Sequence, residues 1–139
     1  MRFKKFGNKF IVRLDKGEEI VEALEQFCEE NKITVGVISG IGAVNNAVLK
    51  FFDPQTKKYF SKEFSGSYEI APLNGNISAM NGRAYLHLHI NLTDSGFNSF
   101  GGHLESAIVS ATFEAIIEKI SGRIGRSFDE QAGLNIFKM

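Results

Sequence analysis

Apolar residues recur along this chain in two rhythms, and the switch between them marks its elements. Over residues 18–30, Ile20, Val21, Leu24, Phe27 and Cys28 fall three or four positions apart, the single stripe of an amphipathic helix. Asp15 is placed to cap that helix, acidic residues occupy its first turn where they favour the helix dipole, and Asn31 stops it. Elsewhere the rhythm is two. Residues 9–14 (KFIVRL) read as a short strand, and residues 33–43 are β-branched and punctuated by Gly36, Gly40 and Gly42, the pattern of a bent strand. Residues 47–53 and 57–64 flank Asp53-Pro54-Gln55-Thr56, a proline-bearing turn, and predict a hairpin. Short strands follow at 64–70 and 75–80, and Asn81-Gly82 predicts a tight turn into a strand over 85–92. Asp94-Ser95-Gly96 supplies the next turn.

Residues 106–120 are harder to assign. Ala107, Val109, Ala111, Phe113, Ala115 and Ile117 alternate with Ser110, Thr112, Glu114 and Glu118, which favours a long half-buried strand. Ile108 and Ile116 break the alternation, and the alanines and glutamates leave a helix open. Gly122 and Gly125 interrupt the pattern, and residues 134–137 add a final edge strand. The elements sum to one α+β domain over residues 1–139, a mostly antiparallel sheet packed with one long helix.

Composition narrows the function classes. At 43% hydrophobic and 23% charged residues the chain has a globular mix and can bury a core. Sixteen Lys and Arg balance sixteen Asp and Glu, which counts against broad nonspecific binding of nucleic acid. Cys28 is the only cysteine, so no intrachain disulfide forms, and its place in the helical stripe marks it as a small apolar filler. The basic start, residues 1–5, runs into Gly7-Asn8-Lys9 where a signal peptide would need an apolar stretch. The apolar region over 33–44 is too short to span a bilayer. A cytoplasmic protein with no membrane association is expected.

The candidate chemistry lies in the histidines. His87, His89 and His103 are the only three in the chain. His87 and His89 alternate on one strand and so share a face. His103 ends the segment Asn98-Ser99-Phe100-Gly101-Gly102-His103, where glycine's tolerance of positive φ would let a sharp turn bring it back toward that strand. Three imidazoles leave one tetrahedral position of Zn²⁺ open to water or a small-molecule ligand. Zinc is the first choice, with nickel, copper and iron fitting the same donors. Glu105, two residues beyond His103, reads either as an acceptor or base at the site or as a solvated carboxylate. Glu114 faces the site, an intersubunit surface or plain solvent. Asn91 and Asp94 are candidates to orient an imidazole, and Asp94 also suits a turn. Phe97 and Phe100 either wall a pocket or pack in the core. Gly40-x-Gly42 is no dinucleotide fingerprint, since the third glycine and the following helix are missing.

In order along the chain, the sequence carries Gly36-Val37-Ile38-Ser39-Gly40-Ile41-Gly42-Ala43, then Tyr68-Glu69-Ile70 and Asn74-Gly75-Asn76-Ile77-Ser78. His87-Leu88-His89, Gly101-Gly102-His103-Leu104 and Thr112-Phe113-Glu114 follow. With these segments the chain resembles the plants-and-prokaryotes conserved (PPC) domain nearly end to end. In plants that domain follows AT-hook motifs in nuclear DNA-binding proteins; in bacteria and archaea it occurs alone. The resemblance implies an α+β homotrimer with a divalent metal on His87, His89 and His103. It transfers DNA binding less directly, because no Arg-Gly-Arg-Pro AT-hook is present and Arg123-Ile124-Gly125-Arg126 reads as a surface turn. The leading expectation is a DNA-binding or regulatory protein that forms a homotrimer with a three-histidine zinc-type site. The alternative is a small metal-dependent hydrolase or lyase using a metal-bound water, with Glu105 as proton carrier.

Overall fold

Strand dominates the chain. In the computed structural model, which describes residues 1–139, 69% of the residues lie in strands and 8% in a single helix. The elements are β1 (Arg2–Phe6), β2 (Lys9–Asp15), α1 (Ile20–Glu30), β3 (Gly36–Asp53), β4 (Lys58–Met80), β5 (Arg83–Thr93), β6 (Ser99–Lys119), β7 (Gly125–Asp129) and β8 (Leu134–Lys138). All eight strands join one sheet in the order β1-β2-β6-β3-β4-β7-β8, with β5 pairing both β4 and β6. The expected α+β sheet packed with one long helix is therefore corrected to a single eight-stranded sheet carrying an 11-residue helix.

The helix is short because its first turn is spent on capping. Glu19 is the N-cap, and its carboxylate accepts from the Glu22 N–H at 2.6 Å. Glu18 instead accepts from the Asp15 N–H at 2.7 Å, holding residues 15–18 in a turn, so Asp15 is not the cap. Asn31 ends the helix as expected, its side-chain amide donating to the Phe27 carbonyl at 2.9 Å. Between these stops, Ile20, Leu24, Phe27 and Cys28 are buried against β5 and β6. Burial pushes the Cys28 thiol up to about 12, which keeps it protonated and fits the filler role.

The strands are longer than the sequence pattern suggests. Segments 33–43 and 47–53 merge into β3, whose pairing shifts register between Gly40 and Gly42 and between Val44 and Asn46, so the strand bends where the glycines lie. Segments 57–64, 64–70 and 75–80 merge into β4, interrupted by a register shift between Ile70 and Leu73. Pro72, with no N–H to donate, sits in that irregularity. The alternation over 106–120 is indeed strand, and β6 extends it back to Ser99. Asn81 and Gly82 take φ of 53° and 80°, the doubly left-handed turn their sequence favours. Strands β1 and β7 carry too few buried residues to announce themselves, and Gly125 begins β7 rather than ending a strand.

One feature of the pairing positions the site. Both β3 and β5 pair with β4 and with β6, so these four strands close into a ring. Leu88, Ile90 and Leu92 of β5 and Leu104, Ala107 and Val109 of β6 point into its core. The alternate residues of β5, His87 and His89, must then face out.

Candidate metal centre

Hairpin register brings the third histidine in. The short loop after Asp94 joins β5 to β6 and sets the pairs Thr93↔Ser99, Asn91↔Gly101 and His89↔His103. His103 therefore lies directly across the ladder from His89, on the face opposite buried Leu104. This corrects the expected turn. Gly101 and Gly102 are extended residues of β6 without positive φ, and His103 arrives by strand pairing. Gly102 serves a close approach instead, since a Cβ there would sit 3.0 Å from the Lys50 carbonyl.

The imidazole centroids lie 5.2 Å (His87–His89), 5.2 Å (His87–His103) and 5.5 Å (His89–His103) apart, nearly an equilateral triangle. One nitrogen from each lies within 4.8 Å of the other two. Burial, reinforced by the other two imidazoles and by Lys50, pulls His103 down to about 4. His87 is also lowered, first by burial and then by the Arg126 guanidinium and His89. Neutral imidazoles keep a lone pair free for a cation at pH 7. His103 Nδ1 is buried with no hydrogen-bond partner, a position that costs about 1–3 kcal/mol unless something ligates it. Donor chemistry, spacing and the orphaned nitrogen all fit a divalent metal.

The other candidates divide. Glu105 shares the His103 side of β6, but its carboxylate pairs with Lys50 Nζ at 2.5 Å and is not a free base. Asn91 accepts from the Ser99 hydroxyl at 2.8 Å, and Asp94 accepts from the N–H groups of Gly96 and Asn98 at 2.8 and 2.9 Å. Neither orients an imidazole, and Asp94 is a turn residue. Glu114 is remote, lining a shallow groove with Ile11, Ile41 and Ile116. Phe100 packs on Phe64 with centroids 5.3 Å apart, and Phe97 is exposed.

Sequence reasoning missed Arg126. Its Nε donates to Ser78 Oγ at 2.8 Å, one terminal nitrogen to Asn76 Oδ1 at 2.7 Å, and the other to the Asn135 carbonyl at 2.6 Å. Asn76 is the ladder partner of His87, so this arginine, taken for part of a surface turn, borders the histidines. Tyr59, whose ring lies 5.9 Å from His103, borders them from β4. The β4–β5 register, counted back from Asn81-Gly82, puts Asn76 beside His87 but gives no sign of Arg126, which reaches Asn76 from β7.

Known proteins share this fold nearly end to end. Residues 1–121 match the family model of the Plants and Prokaryotes Conserved (PCC) domain. A proposed DNA-binding protein of Bacteroides thetaiotaomicron is 46% identical, with a TM-score of 0.96 over 99% of this chain and 96% of that one. A metal-containing protein of Archaeoglobus fulgidus is 38% identical, with a TM-score of 0.90 over 100% and 99%. A plant- and prokaryote-conserved protein of Pyrococcus horikoshii is 29% identical, with a TM-score of 0.88 over 99% and 95%. Among curated proteins, the bifunctional protein GlmU of Synechococcus sp. (strain JA-3-3Ab) is 28% identical over 125 residues, 88% of this chain but only 19% of its own length. No helix here is long and apolar enough to cross a membrane. With a family model covering most of its length and solved relatives superposing end to end, this chain belongs to the Plants and Prokaryotes Conserved domain family.

Proposed function

We propose that this protein binds one divalent cation, zinc first among the candidates, through His87, His89 and His103, and that three copies assemble into a homotrimer with a DNA-binding or regulatory role. The observation that carries the metal reading is the β5–β6 register, which brings three imidazoles around one point with a buried nitrogen left unpartnered. A bound metal supplies a Lewis-acidic positive centre there. The residues of this chain fix its donors, with Leu88 and Leu104 anchoring the two strands from the core side. The metal content of the Archaeoglobus relative supports this reading, and the Bacteroides relative supports DNA as a partner. Assembly is supported by an exposed aliphatic face, where Ile11 and Ile116 pair across β2 and β6 and Ile41 lies beside them on β3.

The deciding experiment is elemental analysis of tag-free protein beside the His87→Ala/His103→Ala variant. Near-stoichiometric zinc that disappears in the variant supports the site. Wild-type protein that stays metal-free after incubation with zinc, nickel, copper or iron refutes it. Sedimentation tests the trimer, and duplex affinity that falls steeply with salt tests the DNA role.

A second reading, a small metal-dependent enzyme, is favoured by a cavity of about 340 Å³ that opens onto His87 and His103. Its test is an activity lost on chelation. The Lys50 contact makes Glu105 a positioned carboxylate in that reading, with Glu105→Gln the variant to compare.

A further inference from the structure

The cavity over the histidines has two sources of wall. His87, His103, Tyr59 and Tyr85 come from the ring of strands, while the remaining wall is the β7–β8 hairpin. That hairpin lies beyond the 1–121 span of the family match. It meets the sheet ladder at one residue pair, Ala79↔Gly125; the Arg126 side chain ties it to Ser78 and Asn76 of β4 and braces it internally on Asn135, and Lys57 Nζ donates to the Glu130 carbonyl at its turn.

Arg126 is held more firmly than a fastening requires. Its guanidinium lies 5.0 Å from the Tyr85 ring centroid and 4.4 Å from that of Phe137, so its plane is fixed by aromatic contacts as well as by hydrogen bonds. All three of its acceptors are neutral. No carboxylate lies within ion-pairing distance of it, although the chain's other ion pairs engage Arg2, Lys9, Arg13, Lys50 and Arg83. A partly buried cation normally has a counter-charge, because desolvating it is unfavourable otherwise. Guanidinium offers five N–H donors, and the bonds described leave two unengaged. This charge borders a cavity whose other walls include Tyr59, Phe128, Leu134 and Ile136.

The geometry points to a small organic carboxylate as the ligand of this cavity, its carboxylate on Arg126, its apolar body against Tyr59, Phe128 and Leu134, and its far end at His87 and His103. The inference deepens the metal reading by naming a ligand class for the same site, but it stands on Arg126. At about 30 Å³ for a water-sized group, 340 Å³ holds on the order of ten non-hydrogen atoms. A phosphate dianion fits less well, since the chain offers one free guanidinium here and Lys50 is already paired with Glu105. A nucleic-acid strand does not suit an apolar cavity of this size.

The test uses the full chain, zinc-loaded and chelator-treated, titrated with phenylacetate, with its uncharged isostere phenylacetamide and with inorganic phosphate. Expected are saturable phenylacetate binding that perturbs the Arg126 Nε–H and Tyr85 NMR signals, and binding of phenylacetamide weaker by about tenfold or more. Arg126→Gln should weaken phenylacetate by a similar factor. Because Arg126 also fastens the hairpin, discrimination by the chelator-treated wild-type protein, where no metal can take the carboxylate, decides independently of that variant. Equal binding of phenylacetate and phenylacetamide, tighter binding of phosphate, or no saturation at millimolar phenylacetate overturns the inference. Zinc bound without carboxylate binding defeats this inference alone; Arg126-dependent carboxylate binding by protein that takes no zinc defeats the metal reading alone.

Discussion

Substituting Gly75 by alanine should damage both stability and metal binding, through one contact. Gly75 lies in β4 between Asn74 and Asn76, the ladder partners of His89 and His87. A Cβ there would meet the His87 carbonyl oxygen at 2.3 Å, Leu88 Cδ2 at 2.5 Å and Leu88 Cα at 3.0 Å. Ordinary contact begins near 3.4 Å, so the β5 backbone must retreat by roughly 1 Å. It has little room to do so, because Leu88 is buried and the next residue, His89, begins the stretch of β5 held by β6 as well as β4. Overpacking of this kind costs about 1–3 kcal/mol, and with backbone as the obstacle the upper end applies. An unfolding entropy of about 2.1 cal/mol/K per residue over 139 residues makes 3 kcal/mol a fall of about 10 °C in Tm. Displacing the His87 carbonyl also moves the imidazoles on either side of Leu88, so zinc affinity should drop by about tenfold. Gly101→Ala is the control: it too sits in an extended strand, but its Cβ finds the nearest atom at an ordinary 3.5 Å. Calorimetry and zinc titration at one protein concentration would compare them. Equal melting temperatures and equal zinc affinities for the two variants would refute the reasoning.

Three further outcomes follow from the same structure. Glu19→Ala should cost about 2–3 kcal/mol, because its carboxylate both caps α1 and accepts from the part-buried Ala107 N–H at 2.7 Å, leaving two N–H groups unpaired; urea unfolding measures this. Cys28, with its thiol at about 12, should resist a thiol reagent at pH 8 in the folded protein and react at once in denaturant; labelling of the native state at the denatured rate would contradict its burial. In chelated protein, His103 binds its proton near pH 4 when folded but near the ordinary 6.5 when unfolded, so the unfolded chain holds more protons between these values. Stability is then fully present above pH 6.5 and lost as pH falls toward 4, and His103→Gln should flatten the dependence of the urea midpoint on pH across that window.

The sequence made some of this legible and hid the rest for physical reasons. Period-two spacing put His87 and His89 on one face, and the DSG turn after Thr93 contained the register that delivers His103. The route was misread because adjacent glycines suggest a turn, whereas here they let β6 lie close to Lys50. The helix was overextended because acidic residues before an apolar stripe look like a first turn, and only the hydrogen bonds of Glu18 and Glu19 show them folding back. Arg126 could not have been found from local pattern. Its partners Ser78 and Asn76 lie about fifty positions away and are met only once β4 and β7 are side by side.

The contrast between the closed ring and the hairpin held at one ladder pair has a consequence for exchange kinetics. Residues 89–93 of β5 lie between β4 and β6, so their amides should reach solvent only when the ring opens and belong to the slowest-exchanging class, whereas residues 83–88 pair with β4 alone. The β7–β8 hairpin can lift by breaking the Ala79↔Gly125 bridge, the Arg126 contacts and the Lys57–Glu130 bond while the ring stays intact. His89 and His103 thus sit at the end of the doubly paired stretch with His87 just beyond it, and the hairpin that walls the cavity beside them is held by fewer bonds. Such a sub-global opening would expose the cavity while leaving His87, His89 and His103 in register.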